Sequence, residues 1–389
     1  MSLFEHIEQK LDECRLQGLW RERRVVGATA SGDLVRDDQV YLNFSSNDYL
    51  GLSQHPRVIE ALKRGAERHG TGSRAASVVT GYSDSHARLE QTLAQILGCE
   101  AALLFCSGFS ANQAVIKALL GAEHKLWQDK LNHASLQEAG MLSPAKMLRF
   151  RHNDMAHLEK LLTKKQGLVV SEGVFSMDGD EAPVKTLARL CHDSGNWLMI
   201  DDAHGFGVLG PRGEGTVAAH GVSPDRVALQ TVTFGKALGV MGAAIVGSRQ
   251  LIDYLVNFSR NYLYSTAMPA AQCEAVLQSL TLSREGEYRQ QLKQRIALFR
   301  REAALLGLPV GESRTPIQPL LLKEVALTQR VSEALRRRGI WLYGIRPPTV
   351  PAGQARLRIA LNACHQPGDI ERLLTELHAI LKAEGYDAV

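Results

Sequence analysis

Short apolar runs alternate with amphipathic stretches through the middle of the chain. AALLF (101–105), KLW (125–127), KMLRF (146–150) and GLVVSE (167–172) read as strands, as do WLMIDDA (197–203), VALQTVT (227–233) and GAAIVG (242–247). Between the earlier runs, ANQAVIKALL (111–120) and ASLQEAGML (134–142) carry helical periodicity, and a further helix opens near Asn153 and Asp154, which suit its amino-terminal cap. Strands separated by helical crossovers imply an α/β domain with a mainly parallel central sheet, helices on both faces, and ligands bound beyond the carboxyl ends of the strands.

The pattern changes after about residue 250. Long helices at roughly 249–258 and 268–306 lead to strands QPLLLK, IWLYGIRP and ARLRIAL and to helices near 326–338 and 367–384, a smaller α+β domain. The chain opens with an amphipathic helix, and QVYLNFSS (39–46) reads as a strand. The expected division is an N-terminal segment (1–50) packing with the C-terminal unit, a large ligand-binding domain (51–285) and a small C-terminal domain (286–389).

The 389 residues can bury a large core, and 45% hydrophobic with 22% charged residues marks an ordinary soluble globular protein. A net charge of +4, with no aromatic-interleaved basic patch, argues against nucleic-acid binding. RERR (21–24) and RRR (336–338) are the densest basic clusters; they read as solvated helix faces, with an anionic small-molecule partner left open. The six cysteines contain no CxxC pair, so reduced structural thiols are expected and no metal site. Neither a signal-type apolar region nor a membrane-length apolar run is present, which makes cytoplasmic residence the expectation.

Two motifs carry the chemistry. Lys236 lies among small residues in TVTFGKALGVMGA (231–243), downstream of the strand that ends in DDAHGFGVLG (201–210). Such a lysine can hold the aldehyde of pyridoxal 5'-phosphate (PLP) as a Schiff base. An acidic partner, Asp201, would keep the pyridine nitrogen protonated so that the ring draws electrons. Either motif alone also fits a surface lysine or a turn-capping aspartate; their joint presence in this order favours the cofactor. Gly108 and Phe109 follow a strand and open a helix, where free N–H groups and the helix dipole favour a phosphate.

The chain is identified as a member of the α-oxoamine synthases, fold-type I PLP enzymes, by motifs spread over nearly its whole length. These are NFSSNDYLGLS (43–53), SGFSANQAV (107–115), LNHASL (131–136), EGVFSMDGD (172–180), DDAHGFGVLG, TFGKALG (233–239), LYSTAMPA (263–270), and IRPPTVPAG (345–353) with RLRIAL (356–361). The resemblance implies that Gly108, Phe109 and Thr233 bind the cofactor phosphate and that His133 stacks on its ring. Ser176 and His204 would contact the phenolic oxygen, and Asp201 the ring nitrogen, with Asp202 holding the loop. It further implies catalysis by Lys236, His133 and Asp201, and a homodimer in which Ser265 and Thr266 complete the neighbour's phosphate site. Substrates would contact Asn47, His133 and Arg358, whose planar fork suits an α-carboxylate, and Arg21 and Thr349 on the acyl side.

The implied reaction is decarboxylative condensation of L-alanine with a pimeloyl thioester, carried by coenzyme A or acyl carrier protein, a step of biotin biosynthesis. The alternatives are a sister synthase such as one joining glycine to acetyl-CoA, and an aminotransferase or carbon–sulfur lyase on the same scaffold. In GTGSRAASVVTGY (70–82), Arg74 and Ala76 stand where relatives often carry glycine and serine, and Val78 where the nearest carry histidine.

Overall fold

The computed structural model describes residues 2–164 and 166–386. The chain divides into two compact units, one comprising Met1–Ser46, Met177–Gly179 and Leu292–Val389, the other Asn47–Ser176 and Asp180–Gln291.

The larger unit is built on a seven-stranded sheet. In spatial order its strands are Ala101–Phe105, Ala243–Gly247, Leu229–Thr233, Trp197–Asp201, Gly167–Glu172, Lys125–Asp129 and Lys146–Phe150. All pairings are parallel except those of Ala243–Gly247, which runs antiparallel to both neighbours. The connection before that strand, residues 234–242, is too short for a helical crossover, so the chain must turn back on itself. Lys236 rides on this turn, which is closed by hydrogen bonds from Phe234 N to Gly242 O (2.9 Å) and from Val240 N to Phe234 O (2.9 Å).

The near-continuous apolar strands follow from burial on both faces. Leu103, Phe105 and Ile245 pack with Ile116, Leu136 and Met199 on one side. Ala102, Leu104, Ala244 and Val246 face Leu89, Leu93, Cys273 and Val276 on the other. Adjacent residues of one strand thus belong to opposite core layers, as the pleat requires.

The long helix expected over 268–306 is two, Ala270–Glu285 and Glu287–Leu305. Gly286 breaks it at φ +93°, a left-handed conformation that costs glycine little.

In the smaller unit, Ile317–Lys323 pairs antiparallel with Ala355–Ala360, which also pairs with Gly344–Ile345. The strand Gln39–Asn43 pairs in parallel with Ile340–Trp341. The N-terminal helix Leu3–Leu16 forms with a Ser2/Glu5 capping box, yet none of its residues is buried. Its periodicity defines an apolar face without supplying a surface to cover it.

Candidate active site

The site gathers at the carboxyl ends of the parallel strands. Asp201 closes its strand as a residue only 5% exposed, in register with Glu172 on the neighbouring strand. Asp201 Oδ2 accepts from Asn112 Nδ2 at 2.6 Å, and Oδ1 accepts from Ala203 N at 3.1 Å. The same Asn112 amide donates to Ser135 Oγ (2.9 Å) while its carbonyl accepts from Thr231 Oγ1 (2.8 Å). Ser135 donates both its hydroxyl (2.8 Å) and its backbone N–H (3.2 Å) toward His133 Nδ1. With Nδ1 accepting, the ring proton sits on Nε2. Burial pushes the His133 pKa down and Lys236 adds to this, against the pull of Asp201, so His133 is a neutral imidazole locked in one tautomer.

A second chain of contacts runs from the lysine. Lys236 Nζ lies 2.7 Å from His204 Nε2, and His204 Nδ1 lies 2.7 Å from the Tyr49 hydroxyl, which donates to Asn47 Oδ1 at 3.3 Å. If the ammonium donates to Nε2, His204 carries its proton on Nδ1 and passes it toward Tyr49, so all four groups share one direction of donation. Asn47, His204 and Lys236 are brought together in this way.

Glu172 is almost fully buried. Its Oε2 accepts from Ser176 N (3.2 Å), while Oε1 has no hydrogen-bond partner. Burial, reinforced by the Asp201 charge and opposed by Lys236, raises its pKa well above the usual carboxylate range. Asp202 points the other way and accepts from the Thr216 N–H at 2.6 Å and from its hydroxyl. Burial raises its pKa to about 6 against those bonds. A Cβ at Gly205 would stand 2.2 Å from Asp202 Oδ1, which explains the glycine that follows His204.

The helix Gly108–Leu119 starts under a Ser107 cap that accepts from Ser110 N at 3.2 Å. This leaves the N–H groups of Gly108 and Phe109 ahead of the helical ladder. A Cβ at Gly108 would come within 4.0 Å of Thr233 Cβ, so strand end and helix start adjoin. Thr233 Oγ1 donates to Gly242 O at 3.1 Å and keeps acceptor capacity.

Ser265 and Thr266 are exposed; Thr266 O accepts from Cys106 Sγ (3.4 Å), and Thr266 bridges Ala76. The 70–82 segment is therefore tied to the 265–268 segment, with Ser73 Oγ donating to Met268 O at 2.6 Å. Arg74 has φ +66°, which explains in physical terms why glycine suits that position.

In the other unit, Arg21 Nη2 lies 3.3 Å from Thr349 Oγ1 and 3.4 Å from Pro347 O, so this expected pair does meet. Arg358 lies on Ala355–Ala360 and is 8% exposed, not a solvent-facing strand residue.

Ser176 is carried on a loop pinned from behind. His152 donates Nδ1 to Asp129 (3.0 Å) and Nε2 to Asp180 (2.8 Å), and Phe175 N bonds Asp180 O at 2.9 Å. Burial alone would lower the His152 pKa, but its bonds to the two aspartates and their charges outweigh it and raise the pKa to about 10. A folded-state pKa above the unfolded value near 6.5 adds stability that is complete below about pH 6.5 and is lost as pH rises toward 10. Thermal unfolding across pH 6–10 should show wild type losing more Tm than His152→Gln. Parallel losses would show that the ion triad does not form.

The residues assembled in the larger unit match the chemical groups of PLP: an amine for its aldehyde, an anion for its ring nitrogen, a fixed imidazole for its ring, and N–H groups with a hydroxyl for its phosphate. Asn112, Ser135, Tyr49 and Glu172 were not singled out by the sequence reading, although each lies within a motif quoted above.

The family model for aminotransferase class I and II matches residues 39–377. An 8-amino-7-oxononanoate synthase of Aeromonas salmonicida is 57% identical over 94% of this chain and 92% of its own length. The corresponding synthase of Yersinia pseudotuberculosis is 49% identical over 98% of this chain and all of its own. Among solved structures, a serine palmitoyltransferase from S. paucimobilis with a bound PLP–myriocin aldimine superposes with a TM-score of 0.93 at 26% identity, each chain fully covered. An 8-amino-7-oxononanoate synthase from Francisella tularensis gives a TM-score of 0.79 at 29% identity, covering 89% of this chain and 99% of that one.

Proposed function

The chain belongs to the class I and II aminotransferase family and, within it, to the 8-amino-7-oxononanoate synthases, which are PLP-dependent acyltransferases; from that premise we propose that it joins L-alanine to a pimeloyl thioester, releasing carbon dioxide, the thiol carrier and 8-amino-7-oxononanoate. The long likeness to relatives of that name carries the choice of substrates, since Lys236, Asp201 and His133 would serve any sister synthase equally.

Lys236, Asp201, His133, Ser176, His204, Thr233 and the Gly108–Phe109 N–H groups would hold PLP, with Ser265 and Thr266 of the partner subunit in a homodimer. When bound, the cofactor supplies an electron-accepting ring that stabilises negative charge at the amino acid Cα. Lys236, held within reach of His204, would take the Cα proton once the alanine amine has replaced its own. Asp201, fixed by Asn112, would pair with the cofactor's ring nitrogen and favour its protonated form. His133, held by Ser135, would stack on the cofactor ring. Arg358 would grip the alanine carboxylate until that group leaves.

On the acyl side, Arg21 and Thr349 form a cation and hydroxyl pair suited to the distal carboxylate of pimelate. An exposed pairing of this kind contributes about 1 kcal/mol, roughly fivefold in affinity. Arg21→Ala should therefore raise the KM for pimeloyl-CoA about fivefold, with the KM values for heptanoyl-CoA and alanine little changed. Equal rises for both thioesters would remove Arg21 from this role.

The reading as a whole is tested by a substrate panel crossing alanine, glycine and serine with pimeloyl-, acetyl- and palmitoyl-CoA. The highest kcat/KM should fall to alanine with pimeloyl-CoA; preference for another pair would assign the chain to a sister reaction.

A further inference from the structure

The two basic runs, RERR and RRR, contribute to a single groove in the smaller unit. This cavity of about 660 Å³ is lined by Arg24 from the first run and Arg336 and Arg337 from the second. That volume lies within the usual ~300–1,000 Å³ of small-molecule sites. Its walls also carry Trp20, Trp341 and Tyr343. The guanidinium groups of Arg24 and Arg336 each lie 5.9 Å from the Trp341 ring, and that of Arg346 lies 5.8 Å from Tyr343.

Arg346 is the most informative residue. It is only 8% exposed, and it donates Nη2 to Trp20 O (2.5 Å) and Nη1 to the Tyr343 hydroxyl (3.3 Å), while its buried Nε has no hydrogen-bond partner. With its nitrogens buried or tied to Trp20 and Tyr343, Arg346 contributes fixed positive charge to the groove wall. The other cations are only partly neutralised. Arg336 and Arg337 share one acid, Glu333, Arg24 has Glu22 at 3.7 Å, and Arg330 pairs with Glu384 at 2.8 Å.

Trp20 and Tyr343 keep 42% and 44% of their surface exposed. Inorganic phosphate would make no use of these aromatic faces, a plain acyl chain would make none of the arginines, and a pimeloyl carboxylate would engage the arginines but not the aromatic faces. A planar base bearing phosphates uses both, by stacking and by charge-assisted bonds. We propose that this groove binds a nucleoside phosphate, with the base against the aromatic groups and the phosphates on Arg346, Arg336 and Arg337. Two sources share that chemistry: the nucleotide end of a coenzyme A thioester, and a free nucleotide. The site stands on its own geometry, so it holds or fails independently of the condensation reaction.

The test is calorimetry on the full-length, PLP-loaded protein with adenosine 3',5'-bisphosphate, ATP, adenosine and inorganic phosphate as separate probes. At least one nucleotide should bind with quenching of tryptophan fluorescence, with adenosine and phosphate at least tenfold weaker. Arg337 is 74% exposed, so Arg337→Glu should keep the fold and weaken nucleotide binding at least tenfold; Arg346→Gln should do the same. If the source is the thioester carrier, Arg337→Glu will also raise the KM for pimeloyl-CoA about tenfold and leave that for pimeloyl-pantetheine unchanged. If the source is a free nucleotide, both KM values will stay put while nucleotide binding is lost. Absence of nucleotide binding, binding untouched by both substitutions, or phosphate binding as tightly as the nucleotides would overturn the proposal.

Discussion

Lys236→Ala should lose at least about a hundredfold in kcat for 8-amino-7-oxononanoate formation, the lower range for removing a positioned proton-transfer group. Two functions vanish together in this variant, the covalent anchor for the cofactor aldehyde and the base at Cα. The contact of Lys236 with His204 at 2.7 Å joins it to Tyr49 and Asn47, and none of those side chains has the amine needed to replace it. PLP should still bind through the remaining contacts. After borohydride reduction, wild type should carry the cofactor mass on the peptide containing Lys236, and the variant should carry none. Multiple turnover at the wild-type rate would remove Lys236 from its assigned role.

Asp201→Asn should lower kcat by about 100- to 1,000-fold while KM for alanine changes little, the pattern for a group that acts mainly on charge developing in the transition state. The substitution also leaves one acceptor where two donors point, the Asn112 amide (2.6 Å) and Ala203 N (3.1 Å), so one of these bonds is lost. Exchange of the alanine Cα hydrogen in deuterated water, followed by NMR, isolates the affected step. Exchange at the wild-type rate would mean that Asp201 does not support the carbanion.

How much of this was legible beforehand depended on whether the information was local. The strands of the central sheet, with their continuous apolar character, could be read from the sequence because both faces are buried. The break at Gly286 could not, since one glycine inside a helical pattern does not by itself end a helix, and only the positive φ shows that it does here.

The hydrogen-bond network of the site was also out of reach. Asn112 joins Thr231, Asp201 and Ser135, residues from three other elements, and sequence spacing gives no registry among them. An asparagine in the apolar run ANQAVIKALL was the available signal, because a buried amide needs partners. The Asp129, His152 and Asp180 triad was hidden for the same reason, its members lying more than twenty residues apart.

Lys236 and Asp201 could be proposed for cofactor chemistry from motif order, whereas Arg358 looks like any alternating strand residue without its family context. The convergence of the two basic clusters was also out of reach. Each looks like a solvated surface when read alone, and only folding puts both beside Trp341.

The central claim is that one site removes the α-carboxylate of alanine in step with acyl transfer. The most direct measurement follows carboxyl-labelled alanine and pimeloyl-CoA through the PLP-loaded protein, with label in carbon dioxide, free thiol and product mass counted together. The account requires one labelled carbon dioxide and one thiol for each 8-amino-7-oxononanoate formed, and no release without thioester. Label retained in a keto acid, or carbon dioxide released without thioester, would contradict it.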